Sequence, residues 1–327
     1  MKLLVIGDKD RAEKYAPKDT SLNDLEVVVA QRDMSDDDIL SLASDADFIL
    51  ADAISKVSRK LIESMPNLKL IHSEGVAYNA IDVEAAREHD VVVCNNAGVN
   101  AGAVAEQTIL LMLACLRNAI VGDVEVRAGR QIQMKERSMV EGIRELGDCT
   151  IGFIGFGAIG QATAIRLANW GCKMLYNKRK PLDADIENSL NVSFASQDEI
   201  IANCDIISLH VPVTPATEKL VGKDFLSAMK PDVILINTAR GEIVDQEALV
   251  DALESGTIGG AGLDTLSPEP VSVDNPLLNM SAEASSKLIL SPHIGGITEG
   301  MFYRAYRNVW NNIERVVNGE KPLNIVS

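Results

Sequence analysis

Aromatic side chains are scarce: Trp, Tyr and Phe make up 4% of the 327 residues. Val, Ile, Leu and Ala must therefore fill most of any core. Histidine is scarcer still, with four in the chain, so few residues are available for proton transfer near neutral pH. The five cysteines, Cys94, Cys115, Cys149, Cys172 and Cys204, are odd in number and include no CxxC pair. A disulfide framework and a zinc site are both disfavoured, and the apolar surroundings of four of them suit reduced thiols in a cytosol. No metal site is expected. No long hydrophobic run is present. The longest, Ile109–Leu116, lies between Gln107 and Arg117, well short of the ~20 residues a membrane helix needs. The N-terminus turns polar after Leu3–Ile6, too soon for a signal-peptide core. Positive charge is also in deficit. Against 47 Asp and Glu stand 31 Lys and Arg, for a formal net charge of −16. A field of that sign repels nucleic acid and anionic lipid, and any anion site must be locally basic. The expectation is a soluble, cytoplasmic protein with a small-molecule substrate and neither nucleic acid nor membrane as partner.

What is present is ordinary globular material, 46% apolar, long enough for about two domains. Short β-branched runs alternate with helical stretches. Leu3–Ile6, Val27–Ala30, Phe48–Ala51, Leu68–His72 and Val91–Cys94 read as strands, with helices over Asp36–Ser44, Val57–Ser64 and Val83–Glu88. Such alternation predicts a parallel sheet with crossover helices. The run Asp36-Asp37-Asp38 after Ser35 reads as a solvated first helical turn rather than a metal site. Ala101–Arg127 reads as one long helix, buried in its first half. Residues 130–145 are polar and read as a surface excursion with short helices. A second βα series starts at Thr150. Its strands are expected at Thr150–Gly155, Cys172–Tyr176, Asp205–His210, Val233–Asn237, Gly260–Asp264 and Lys287–Leu290. Its helices are expected at Ala158–Trp170, Ser196–Ala202, Gly222–Met229 and Gln246–Ser255, with a last helix over Thr298–Val317.

The sharpest motif is Gly155-Phe156-Gly157-Ala158-Ile159-Gly160. A G-x-G-x-x-G carries little weight alone, but here a strand precedes it and a helix follows, which is the context of a dinucleotide-binding loop. Gly155 permits the tight turn, Gly157 lets backbone amides approach a pyrophosphate, and Gly160 lets the helix pack on the strand. NAD-binding loops of this kind place an acid about 20 residues on, to hold the ribose hydroxyls. That place is filled by Asn177, followed by Lys178, Arg179 and Lys180. A carboxylate would repel a 2′-phosphate, whereas Lys178 or Arg179 pairs with one. The reading is a preference for NADPH, with NAD possible.

Three further segments stand at expected strand ends: Asn237-Thr238-Ala239-Arg240-Gly241, then Asp264 through Glu269-Pro270, then Pro292-His293-Ile294-Gly295-Gly296. Ligands of open α/β sheets bind beyond the carboxyl ends of the strands, so Arg240, Glu269 and His293 can converge. Their chemistry suits reduction of a 2-keto acid. Arg240 holds the carboxylate and carbonyl through its planar fork, His293 donates a proton to the new alkoxide, and Glu269 stabilises the charged imidazole. Of the other histidines, His72 ends an early strand, His89 lies at a polar helix end, and His210 precedes Val211-Pro212.

These segments resemble the D-2-hydroxyacid dehydrogenases, which include phosphoglycerate dehydrogenases and glyoxylate/hydroxypyruvate reductases. The resemblance runs from Gly75-Val76-Ala77-Tyr78-Asn79-Ala80-Ile81-Asp82, through Ala103-Val104-Ala105-Glu106-Gln107-Thr108, to Pro322-Leu323-Asn324-Ile325-Val326. It implies a Rossmann dinucleotide-binding domain, about residues 99–295, inserted into a smaller flavodoxin-like α/β substrate domain of 1–98 plus 296–327. It implies that Arg240, Glu269 and His293 are catalytic, in a cleft between the domains. Val76 and Ala77, together with Arg240 and His293, would bind substrate. Ala158, Ile159 and Asn177–Arg179 would meet the pyrophosphate and ribose. His210, Val211, Pro212 and Thr217 would line the adenosine side, and Thr238, Ala239, Arg240, Asp264 and Gly295 the nicotinamide side. It further implies a D-specific product and a homodimer through the nucleotide domains, with the Ala101–Arg127 helix at the interface. An alternative within the same resemblance is a nucleotide-sensing, corepressor-like binding protein. Departures from the family pattern are Ala77 and Asn79 in the substrate loop, Gly147-Asp148-Cys149-Thr150 before the dinucleotide strand, and Met134, Lys135 and Arg137 where aromatics are common.

Overall fold

Leu3-Leu4-Val5-Ile6 has no polar face, as a strand covered on both sides requires. In the computed structural model, which describes residues 1–22 and 24–326, it lies in β1 (Lys2–Ile6). The chain divides into two compact units, Met1–Asn100 with Ile297–Ser327, and Ala101–Gly296.

In the first unit, β1 is joined by β2 (Glu26–Ala30), β3 (Phe48–Ala51), β4 (Leu70–Ser73) and β5 (Val92–Cys94) in a parallel sheet of order β2-β1-β3-β4-β5. Period-2 alternation sorts its side chains to two faces. Leu4, Ile6, Ile49, Ile71 and Val93 meet Ile39, Leu61, Ile62 and Ala85. Leu3, Val5, Phe48, Leu50 and Leu70 meet Tyr306, Val309, Trp310 and Ile313. Those last four come from the C-terminal helix, Glu299–Val317, so one face of a sheet made early in the chain is closed by its end. Among the described residues, this is also the longest helix, and it is not long and apolar enough to cross a membrane.

The second unit holds β6 (Thr150–Ile154), β7 (Lys173–Asn177), β8 (Ser193–Phe194), β9 (Ile206–Leu209), β10 (Ile234–Asn237), β11 (Gly260–Leu263) and β12 (Leu288–Leu290). All are parallel, in the order β12-β11-β10-β9-β6-β7-β8. The order reverses between β6 and β9, a topological switch point, where α/β sheets bind ligands. The apolar helix Ala101–Leu116 packs Leu111, Met112 and Leu116 against Ile151, Phe153, Ile234 and Ile236.

Two segments depart from the sequence reading. The expected helix Ala101–Arg127 is two helices, Ala101–Leu116 and Ala119–Arg127. Asn118 separates them in the left-handed region at φ 49°, which Asn tolerates better than most residues. Residues 130–145 contain an 11-residue helix, Gln131–Glu141, tied by the Arg137–Glu141 pair one turn apart. Helices over Lys9–Tyr15, Ala184–Leu190 and Ala282–Ser286 and the short strand β8 are further elements not expected from the sequence.

Candidate active site

The Gly155–Gly160 loop stands at the switch point. Gly155 has φ 86°, and a Cβ there would lie 2.5 Å from the His210 carbonyl oxygen. Only glycine lets the two strand ends come so close. A Cβ on Gly160 would fall 3.0 Å from the Phe156 ring, whereas one on Gly157 would meet open space. Gly157 also caps the helix Ala158–Leu167 without a side-chain hydrogen bond. The amides of Ala158, Ile159 and Gly160 accordingly have no partner among the described residues. An open cradle with free amides at the positive end of a helix dipole fits a pyrophosphate.

Around this cradle, β7 ends at Asn177, whose side chain donates to the Ala195 carbonyl at 2.9 Å. The following turn is pinned by Tyr176, whose hydroxyl accepts from the Leu182 amide and donates to Glu187. Lys178, Arg179 and Lys180 project from that turn, and no described residue pairs with them. Beyond β9, the His210 ring shares a hydrogen bond with the Ser208 hydroxyl at 2.9 Å through Nε2. Its Nδ1 is buried without a partner, and burial holds the ring well below the ordinary imidazole range, at about 4. It is a neutral, half-buried group facing β6 through Phe153. Val211 packs beside Gly155, and the Thr217 hydroxyl donates to the Pro212 carbonyl at 2.6 Å. Thr217 thus shapes the loop from within.

The second half of the site is built at the ends of β10, β11 and β12. Asn237 ties its own turn, accepting from the Ala239 amide and donating to the Arg240 carbonyl. Thr108 commits its proton to the Val104 carbonyl, so Thr238 donates to the Thr108 hydroxyl at 2.9 Å. Arg240 is exposed and reaches back to the Ala239 carbonyl at 2.6 Å. A Cβ on the next residue, Gly241, would lie 2.1 Å from the Leu266 carbonyl carbon. That close backbone approach brings the Arg240 turn against the loop that carries Glu269. Glu269 accepts from the Leu266 amide through Oε1, and its Oε2 lies 2.7 Å from His293 Nδ1. Both side chains are about two-fifths exposed, His293 at 43% and Glu269 at 42%. His293 Nε2 has no partner among the described residues. The arrangement orients an imidazole by one nitrogen and leaves the other for a ligand.

Asp264 holds this orientation. It is buried, with Oδ1 accepting from the Ser291 hydroxyl and the Ile294 amide, and Oδ2 from the Gly295 amide at 2.8 Å. The backbone on either side of His293, itself at φ 54°, is thus tied to one carboxylate. Gln107 bonds Ser291 at 2.9 Å from the helix beneath, and Gln246 and Asn275 brace the Ser267 carbonyl. Gln107 lies inside a segment quoted above and Ser291 just before one, but only the fold reveals their task. Gln246 and Asn275 carry no local signal at all.

In the first unit, the loop after β4 carries Val76 and Ala77. Its carbonyls are taken, Val76 by Asn95 at 2.8 Å and Ala77 by the Ser73 hydroxyl at 2.5 Å. The amides of Val76 and Ala77 have no partner among the described residues. Carbonyls pinned and amides left free suit an anion.

Residues 109–295 match the family model described as "D-isomer specific 2-hydroxyacid dehydrogenase, NAD binding domain". The chain is 34% identical over 318 residues to a glyoxylate reductase of Thermococcus onnurineus, covering 93% of this chain and 90% of the relative. It is 34% identical over 280 residues to a hydroxypyruvate reductase of Thermotoga maritima, covering 85% and 87%. Among solved structures, D-lactate dehydrogenase with NAD+ from Lactobacillus jensenii is 26% identical with a TM-score of 0.86, covering 100% of both chains. The chain belongs to the D-isomer specific 2-hydroxyacid dehydrogenases, a family of nicotinamide-dinucleotide oxidoreductases.

Proposed function

We propose that this protein is an NADPH-preferring reductase of short 2-keto acids, of the glyoxylate or hydroxypyruvate type. The observation that carries the reading is the His293 Nδ1–Glu269 Oε2 contact of 2.7 Å, with His293 Nε2 left free. The Gly155–Gly160 cradle would hold the reduced dinucleotide, which would supply the hydride. Glu269 accepts a hydrogen bond from His293 Nδ1 and holds the ring in one orientation. His293 Nε2–H donates to the keto oxygen and passes its proton to the alkoxide as charge develops there. Arg240 holds the substrate carboxylate, its guanidinium fork matching two oxygens. In the first unit, the free amides of Val76 and Ala77 form an anion-binding turn of their own. Thr238, Ala239, Asp264 and Gly295 shape the nicotinamide side, and His210, Val211, Pro212 and Thr217 the adenosine side.

The preference for NADPH rests on Asn177, Lys178 and Arg179. No carboxylate stands at that strand end, and the two cations are free of ion pairs among the described residues. A homodimer through the nucleotide-binding unit is supported by apolar exposure on the helices Ala119–Arg127 and Gln131–Glu141, where Val140 is 88% and Met139 75% exposed. The five free cysteines, four of them buried, suit the reducing cytoplasm.

The test is loss of reduced-nicotinamide absorbance with a panel of 2-keto acids, run with NADPH and NADH in parallel. Turnover of glyoxylate or hydroxypyruvate with a strong NADPH bias is expected, and Arg179→Ala should erase most of that bias. Turnover with NADH alone would keep the reaction and discard the reading of Lys178 and Arg179. No turnover with any acid would overturn the reductase reading.

A further inference from the structure

The first unit also contains a concave surface apart from the Val76–Ala77 loop. It is a cavity of about 750 Å³ between the turn after the helix Lys9–Tyr15, the segment 97–99 and the C-terminal helix Glu299–Val317. That volume falls in the range that holds small ligands. Four cations line it, Lys14, Lys18, Arg304 and Arg307, against one carboxylate, Asp19. In a chain of net charge −16 this is a local reversal of sign.

The bland account of such cations is a solvated surface, where each pairs with a nearby acid or points into water. Two of the four pair with an acid. Lys14 pairs with Glu299 at 2.5 Å, and Arg307 pairs with Asp19 at 2.6 Å. Lys18 is exposed and free to turn to a ligand, and Arg304 is the exception. Lys18 and Arg304 have no carboxylate partner among the described residues. Arg304 is also held in place: its Nε and one terminal nitrogen both donate to the Val99 carbonyl, at 3.4 and 3.3 Å. That double contact fixes the guanidinium and leaves further N–H groups unspent. Beside them Tyr303 stands edge-on to Tyr15, ring centres 4.9 Å apart, giving the cavity a rigid aromatic wall. Cations gathered in a concave site are stabilised by a bound anion carrying more than one charge.

We propose that this cavity binds a small phosphate-bearing molecule, with Lys18 and Arg304 as its principal contacts. Val99 lies next to Asn100, where the chain leaves the unit, so a ligand held by Arg304 steadies that exit.

The test is calorimetric titration of inorganic pyrophosphate into the protein saturated with reduced dinucleotide, which fills the Gly155–Gly160 cradle. Buffer ionic strength is matched with chloride. One-to-one binding is expected. Lys18→Gln and Arg304→Gln should each weaken it about tenfold, as for loss of one charge-assisted contact. Lys18 is exposed and unpaired, so Lys18→Gln tests the site even if Arg304→Gln disturbs the helix. Arg240→Gln should leave binding unchanged, and Lys18→Gln should leave keto-acid turnover without pyrophosphate unchanged. Absence of binding at millimolar pyrophosphate, equal binding by wild type and Lys18→Gln, or loss of binding in Arg240→Gln would each overturn the proposal.

Discussion

At the scale of single residues, two kinds of histidine coexist. His293 is two-fifths exposed and oriented by Glu269, whereas His72 is buried and His210 half-buried. Replacing His293 by Ala should lower kcat by about 10²- to 10⁴-fold, the range for removing a general acid, with little change in thermal stability. Steady-state kinetics beside a melting curve checks both halves of that statement. The latter pair has a different consequence. His72 donates through Nδ1 to the Ser73 carbonyl and accepts from Asn312 at Nε2, so it is neutral in the fold. Burial holds both rings at about 4. Below the ordinary imidazole value the unfolded chain binds protons that the folded chain refuses. Stability is therefore full above about pH 6.5 and falls as pH drops towards 4, by roughly 1 kcal/mol per pH unit for each ring. Thermal unfolding measured between neutral pH and pH 4.5 should show this slope, and His72→Gln should remove part of it. An unchanged slope would mean that His72 is not the sensor.

At the scale of elements, the loop after β12 depends on one carboxylate at the end of β11. Asp264→Ala frees the Ser291 hydroxyl and the Ile294 and Gly295 amides together. Unsatisfied buried donors cost about 1–3 kcal/mol each, so a lower melting temperature is expected. A drop in kcat of at least about tenfold should accompany it, because His293 loses its anchor. A fall in stability with kcat intact would separate the loop from catalysis. This arrangement also marks what sequence reasoning reached. All the strands but the two-residue β8 were legible, because β-branched runs such as Val27-Val28-Val29 and Ile206-Ile207 leave little alternative. So was the phosphate loop, whose glycines are dictated by backbone approach. Arg240, Glu269 and His293 were legible as residue types at strand ends. The break at Asn118 was not, since neither Gly nor Pro marks it. The helix Lys9–Tyr15 was missed because only Ala12 and Tyr15 of its seven residues are buried, too few to show a period. The bracing by Gln107, Gln246 and Asn275 joins residues far apart in the chain, and no local pattern encodes that.

At the scale of the whole molecule, the exposed apolar side chains gather on the excursion after Leu116. Ile120, Val124, Val126, Ile132, Met139 and Val140 are all at least half exposed. A second copy of the chain burying this face is the assembly we propose. Val140→Glu together with Ile132→Glu should convert a dimer to a monomer in sedimentation or light scattering, with the dinucleotide still bound. A wild-type monomer, or a double variant that remains dimeric, would rule out this face.

The closure of the first sheet by the last helix bears on how the protein is made. When a ribosome has released β1–β5, the face formed by Leu3, Val5, Phe48, Leu50 and Leu70 still lacks Tyr306, Val309, Trp310 and Ile313. The whole of Ala101–Gly296 must be translated before those residues emerge. The inserted unit carries all of its own strands and can mature first, while the N-terminal sheet waits half-dressed. The nascent chain therefore presents a sticky apolar surface for most of its synthesis, and that interval is when a chaperone has most to hold.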